Sequence, residues 1–146
     1  MYKKILVPLD GSHLAEEALP HAQALAKSEG AEIVLLRVPV TPTLQFAARD
    51  PTIANMIIKD MEEETEKYLD GEVSKMKSEG TKVSSVSRDG PVPDTILDVA
   101  KETQADVIVM STHGRTGVQR WLMGSVADRV VHYSSIPVML IHSSLN

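Results

Sequence analysis

Short apolar runs, rich in β-branched residues, recur along this chain between stretches whose apolar residues fall at helical spacing. Ile5-Leu6-Val7-Pro8, Ile33-Val34-Leu35-Leu36, Val107-Ile108-Val109-Met110 and Ile136-Pro137-Val138-Met139-Leu140-Ile141 show no polar alternation. The first two runs read as strands buried on both faces, the second continuing to about Val38, and the other two as the strands before and after the last helix. Val83 and Val86 alternate with polar residues, so the strand predicted over residues 82–88 belongs at a sheet edge.

The intervening segments carry helix signals. Leu14, Ala18, Ala22, Leu25 and Ala26 share a helical face, Ser12 suits the N-cap and Gly30 the end. A long helix is predicted over residues 56–79, with Met61, Thr65, Tyr68, Leu69 and Met76 on one face and Gly80 as its stop. The charges Glu62, Glu63, Glu64, Glu66 and Lys67 fill its solvated side. Pro93 fits the first turn of a further helix, where a missing N–H costs nothing, and Ile96, Leu97 and Ala100 give that helix its apolar face. Leu122, Val126, Val130 and Tyr133 fit a last one, with Ser125 as its N-cap. Residues 41–55, with Pro42 and Pro51, read as a long connection of the kind that borders sites.

The order is β-α-β-α-β-α-β-α-β. It predicts an α/β fold, a single doubly wound domain over residues 1–146, with a five-stranded parallel sheet and helices on both faces. A chain of 146 residues suits one such core.

Composition narrows the function classes. The absence of cysteine removes disulfides, thiolate chemistry and cysteine-based metal sites, and fits a reducing cytoplasm. The first apolar run is broken at Pro8 and stops at Asp10, too short for a signal-peptide core. No run approaches the roughly 18 apolar residues of a membrane span. A net charge of −5 and five aromatic side chains of Phe, Trp and Tyr argue against nucleic-acid binding, which draws on basic faces and stacking platforms.

In an open α/β sheet, ligands bind beyond the carboxyl ends of the strands, where the strand order reverses. The loops after the first and fourth strands hold Asp10-Gly11-Ser12 and Ser111-Thr112-His113-Gly114-Arg115-Thr116-Gly117, the latter running on to Gly124-Ser125. Gly114 and Gly117 permit close backbone approach, and Gly124-Ser125 opens a helix whose free N–H groups suit an anion. Arg115 and Arg120 can add positive charge, and Asp10 can hydrogen-bond a ribose or base or hold a divalent cation beside phosphates. There is no G-x-x-x-x-G-K-[ST] loop, no G-x-G-x-x-G after the first strand, no H-x-G-H and no G-x-S-x-G elbow.

Lys4-Ile5-Leu6-Val7-Pro8-Leu9-Asp10-Gly11-Ser12, the stretch from Ala105-Asp106 through Ser111-Thr112-His113-Gly114-Arg115-Thr116-Gly117, and then Gly124-Ser125-Val126-Ala127 and Pro137-Val138 together resemble the universal stress protein family over essentially the whole chain. Its ATP-binding branch carries G-x2-G-x9-G-[ST]. Gly114, nine intervening residues and Gly124-Ser125 match, while Ser111 stands at the first glycine position. The resemblance implies an adenine nucleotide alpha hydrolase-like fold binding ATP, AMP or ADP with Mg²⁺. It places Pro8, Leu9 and Asp10 beside the adenosine, with Asp10 assisting the metal. Val38 would meet adenine through its backbone, and Met110 and Ser111 would flank ribose and base. Gly114, Gly124, Ser125 and Val126 would offer N–H groups to the phosphates, with His113, Arg115 and Ala127 alongside. It also implies a cytoplasmic regulatory stress-response protein that dimerises through its last strand.

Plainer roles stand beside these. Asp10 also suits a turn before the first helix. His113 has no evident carboxylate partner and reads as a loop histidine, leaving no catalytic residue assigned; Arg115 and Arg120 read as solvated, and Trp121 as packing. His13, His21, His132 and His142 have no metal-ligand spacing. A slow ATP hydrolase or phosphotransferase, and a nucleotide-free interaction dimer, are the alternatives to a nucleotide-binding module.

Overall fold

A computed structural model describes residues 1–39, 50–113 and 123–142. Five strands, β1 (Lys4–Leu9), β2 (Glu32–Arg37), β3 (Val83–Ser87), β4 (Val107–Ser111) and β5 (Val138–Ile141), form one sheet in the order β3-β2-β1-β4-β5. Every pairing is parallel. The helices are α1 (His13–Glu16), α2 (Ala18–Glu29), α3 (Pro51–Ser78), α4 (Val92–Glu102) and α5 (Ser125–Tyr133).

The period of the strands splits the core into two layers. Ile5, Val7, Leu9, Ile33, Leu35, Val107 and Val109 face α2 and α3, packing with Ala18, Ala22, Leu69 and Met76. Leu6, Val34, Leu36, Val38, Ile108 and Met110 face the other way, onto Ile96, Val99, Ala100, Ala127 and Val130 of α4 and α5. Burial on both faces explains why β1, β2 and β4 lack polar alternation. The strands all run the same way, but the strand order reverses between β1 and β4, and the connections leaving their carboxyl ends pass to opposite faces and open a crevice there.

Three local expectations need correction. The first predicted helix is broken at Glu17: Pro20 has no N–H to give the Glu16 carbonyl, so a short α1 precedes α2. Gly30 then ends α2 in the left-handed region at φ 65°. The third helix starts at Pro51, five residues before the predicted boundary at residue 56, because Pro51 takes the first-turn position and Asp50 caps it, accepting from the amides of Thr52 and Ile53. Residues 41–49 of the predicted connection lie outside the described residues. Tyr133, assigned to the buried face of the last helix, is 67% exposed, with the Arg129 guanidinium 5.4 Å from its ring centre. Val130 carries that face, fully buried.

Candidate functional site

A cavity of about 570 Å³ opens over the carboxyl ends of β1, β2 and β4, within the size range of small-molecule sites. Its walls come from Pro8, Leu9 and Asp10 at the end of β1, Leu36 to Pro39 at the end of β2, Met110 to His113 at the end of β4, and Gly124 to Ala127 at the start of α5. Met61, Glu64 and Thr65 of α3 and Val92 and Ile96 of α4 close the sides. Thus Pro8, Leu9, Asp10, Val38, Met110, Ser111, His113, Gly124, Ser125, Val126 and Ala127, scattered in sequence, line one space. Gly114 and Arg115, with Gly117, Arg120 and Trp121, lie outside the described residues.

Asp10 organises the β1 wall. Its Oδ1 accepts from the Ser12 amide at 2.9 Å and the Ser12 hydroxyl at 2.5 Å. Ser12 Oγ in turn accepts from the Ala15 amide at 3.2 Å and caps α1. The turn role and a place on the cavity wall therefore coexist in one carboxylate. No group of three or more acidic or histidine side chains able to hold a metal occurs among the described residues. Mg²⁺ characteristically takes one or two carboxylates and completes its shell with substrate phosphates and water, so Asp10 fits such an ion only together with a polyphosphate.

Ser125 is not the N-cap expected of it. Gly124, in extended conformation, is the N-cap, and Ser125 is the first helical residue. The Gly124 amide donates to the Thr112 carbonyl at 2.8 Å, so in this structure it is engaged within the protein. The first helical hydrogen bond runs from Asp128 to Gly124. The amides of Ser125, Val126 and Ala127 therefore have no intrahelical acceptor, the kind of helix end that suits an anion.

Ser111 is buried, and its hydroxyl donates to the Leu14 carbonyl at 2.5 Å. That carbonyl also accepts from the Glu17 amide at 3.4 Å, and the serine hydroxyl ties β4 to α1. His113 is also buried, with Nδ1 3.2 Å from the Thr112 hydroxyl.

Sequence reasoning missed Arg37. It ends β2, is 8% exposed, and lines the cavity. Its guanidinium carbon sits 5.1 Å from the Tyr68 ring centre, and Nη2 is 3.5 Å from Glu64 Oε1. Glu64, assigned to a solvated face, is exposed yet also borders the cavity. The Tyr68 hydroxyl donates to Glu16 at 2.9 Å. Burial, then this hydrogen bond, then the charges of Glu16 and Glu72 push the Tyr68 phenol well above its ordinary range, with Arg37 opposing. A charged residue at the end of an otherwise apolar run was the available signal for Arg37.

A doubly wound parallel sheet with a cavity at its switch point defines an α/β ligand-binding class. Residues 1–142 match the universal stress protein family, and the chain belongs to that family. Universal stress protein MJ0531 of Methanocaldococcus jannaschii is 36% identical over 143 residues, covering 97% of this chain and 82% of the relative. The solved structure of MJ0577 is 29% identical, with a TM-score of 0.87, and covers 100% of this chain and 99% of that one. A universal stress protein from Archaeoglobus fulgidus, solved in complex with dAMP, is 25% identical with a TM-score of 0.64, covering 96% of this chain and 98% of that one. No helix among the described residues is long and apolar enough to cross a membrane.

Proposed function

We propose that the chain is a regulatory module that binds an adenine nucleotide, ATP with Mg²⁺, in this cavity. The observation that carries the reading is the arrangement of the wall: the amide-rich start of α5 on one side, and the apolar surfaces of Val38, Leu36 and Ile96 on another. A triphosphate suits the former and a purine ring the latter. The relative solved with dAMP supports the same ligand class. Asp10 lies between the two and would share a Mg²⁺ with the phosphates. Ser125, Val126 and Ala127 would donate to phosphate oxygens, with Gly114 and Arg115 contributing from the connecting loop.

Nucleotide released from denatured protein, identified by mass spectrometry, followed by calorimetric titration of emptied protein with ATP and Mg²⁺, tests the reading. Released or tightly bound ATP supports it. No nucleotide and no heat would sink it in favour of a nucleotide-free interaction protein.

A homodimer through β5 accompanies the reading. Among the described residues β5 pairs only with β4, is half-buried along most of its length, and exposes Met139 at 38%. An apolar edge of this kind invites pairing with a second copy. Light scattering of the protein and of Met139→Lys tests it: a dimer that dissociates in the variant supports the assignment, and a monomeric parent protein overturns it.

A further inference from the structure

Arg37 stands at the wrong place to serve the phosphates. It ends β2, whereas the anion-binding start of α5 adjoins the β4 and β5 side of the sheet. β1 lies between β2 and β4, so two strand spacings, about 10 Å, separate Arg37 from the end of β4. The side chain is nine-tenths buried, yet among the described residues its five N–H groups meet only Glu64, at a long 3.5 Å. The Tyr68 ring holds the guanidinium from one face without consuming those donors. Its spare donors face the cavity, where the acceptor atoms of an occupant can meet them.

We propose that Arg37 is a specificity-determining residue of the cavity, donating to the acceptor atoms of the nucleobase at the end remote from the triphosphate. This rests on the nucleotide reading above. Purine edges present ring nitrogens, and a 6-oxopurine a carbonyl as well, within reach of a planar fork of N–H donors. Glu64, largely in solvent, holds the fork at 3.5 Å and yields when a base arrives.

The test compares MgATP with Mg-tripolyphosphate, which has the same anionic group and no base, on the full chain and on Arg37→Met. Arg37→Met should weaken ATP about tenfold or more, the scale of a charged hydrogen bond, and leave tripolyphosphate within about threefold. A purely electrostatic role would act on the phosphates that both ligands carry and would lower both alike. Equal loss for both, or unchanged ATP affinity, overturns the proposal. Should Arg37→Met fail to fold, Arg37→Lys carries the test. Lysine keeps the charge and loses the fork, so a several-fold loss confined to ATP supports the assignment and wild-type ATP affinity defeats it. A parent protein that binds no ATP overturns the nucleotide reading itself, whereas a parent that binds ATP with an indifferent Arg37 overturns this inference alone.

Discussion

The amide of Gly124 donates to the carbonyl of Thr112 at 2.8 Å, and a Cβ at position 124 would stand 2.9 Å from that same oxygen. The glycine is required by space: its φ of −61° is open to any residue. Gly124→Val should therefore push the end of β4 away from the start of α5. We expect a loss of about 1–3 kcal/mol in stability together with loss of ATP binding. Thermal unfolding and calorimetry of the variant check both, and a variant with parent-like stability would contradict the close contact.

Ser125 offers a cleaner probe of the anion site. It is the first residue of α5, and its hydroxyl has no partner among the described residues. Ser125→Ala should leave the melting temperature unchanged and weaken ATP by about 3- to 10-fold, as for one neutral hydrogen bond. Unaltered affinity would remove the hydroxyl from the site.

Asp106 ties the start of β4 to the start of β1: one carboxylate oxygen accepts from the amides of Lys3 at 2.7 Å and Lys4 at 2.9 Å. These two hydrogen bonds, first of all, hold its carboxyl below the usual carboxylate range. A lowered folded pKa means stability present above the unfolded value, near 3.9, and lost as pH falls through the folded one. Denaturant unfolding of Asp106→Asn should show a deficit at pH 7 that shrinks below pH 4. A deficit of constant size down to pH 2 would argue against the carboxylate's role.

Tyr68 gives the alkaline counterpart. Its phenol is raised in the folded protein, so the stability it contributes is present below its unfolded value near 10 and falls as pH rises beyond it. Ultraviolet titration should show Tyr68 ionising only as the protein unfolds. An early tyrosinate signal that disappears in Tyr68→Phe, while the fold persists, would refute the buried, Glu16-bonded phenol.

The fold was legible because burial leaves a period in the sequence. Uninterrupted apolar strands announced a parallel sheet, and the polar alternation around Val86 placed β3 at its edge. Pro51 was misread because a proline can break a chain or begin a helix. Asp50, one residue earlier, decided which by capping the Thr52 and Ile53 amides. Pro20, inside an otherwise helical run, divided α1 from α2 by the same chemistry.

The sequence by itself determined the alternation of strands and helices, the two core layers, and the family, since each follows from local pattern or from residues in order. It also marked Asp10, Val38, Ser111 and Gly124 as site positions. Only the tertiary structure decided what those groups do. Ser111 spends its hydroxyl on Leu14, and Gly124 spends its amide on Thr112, because strand β4 meets α1 and α5 there. Arg37 became a cavity residue only when parallel pairing set the end of β2 beside α3, with Tyr68 under its guanidinium and Glu64 at its edge. Hydrogen-bond partners separated by many residues leave no period to read; they exist once the sheet has brought its strand ends together.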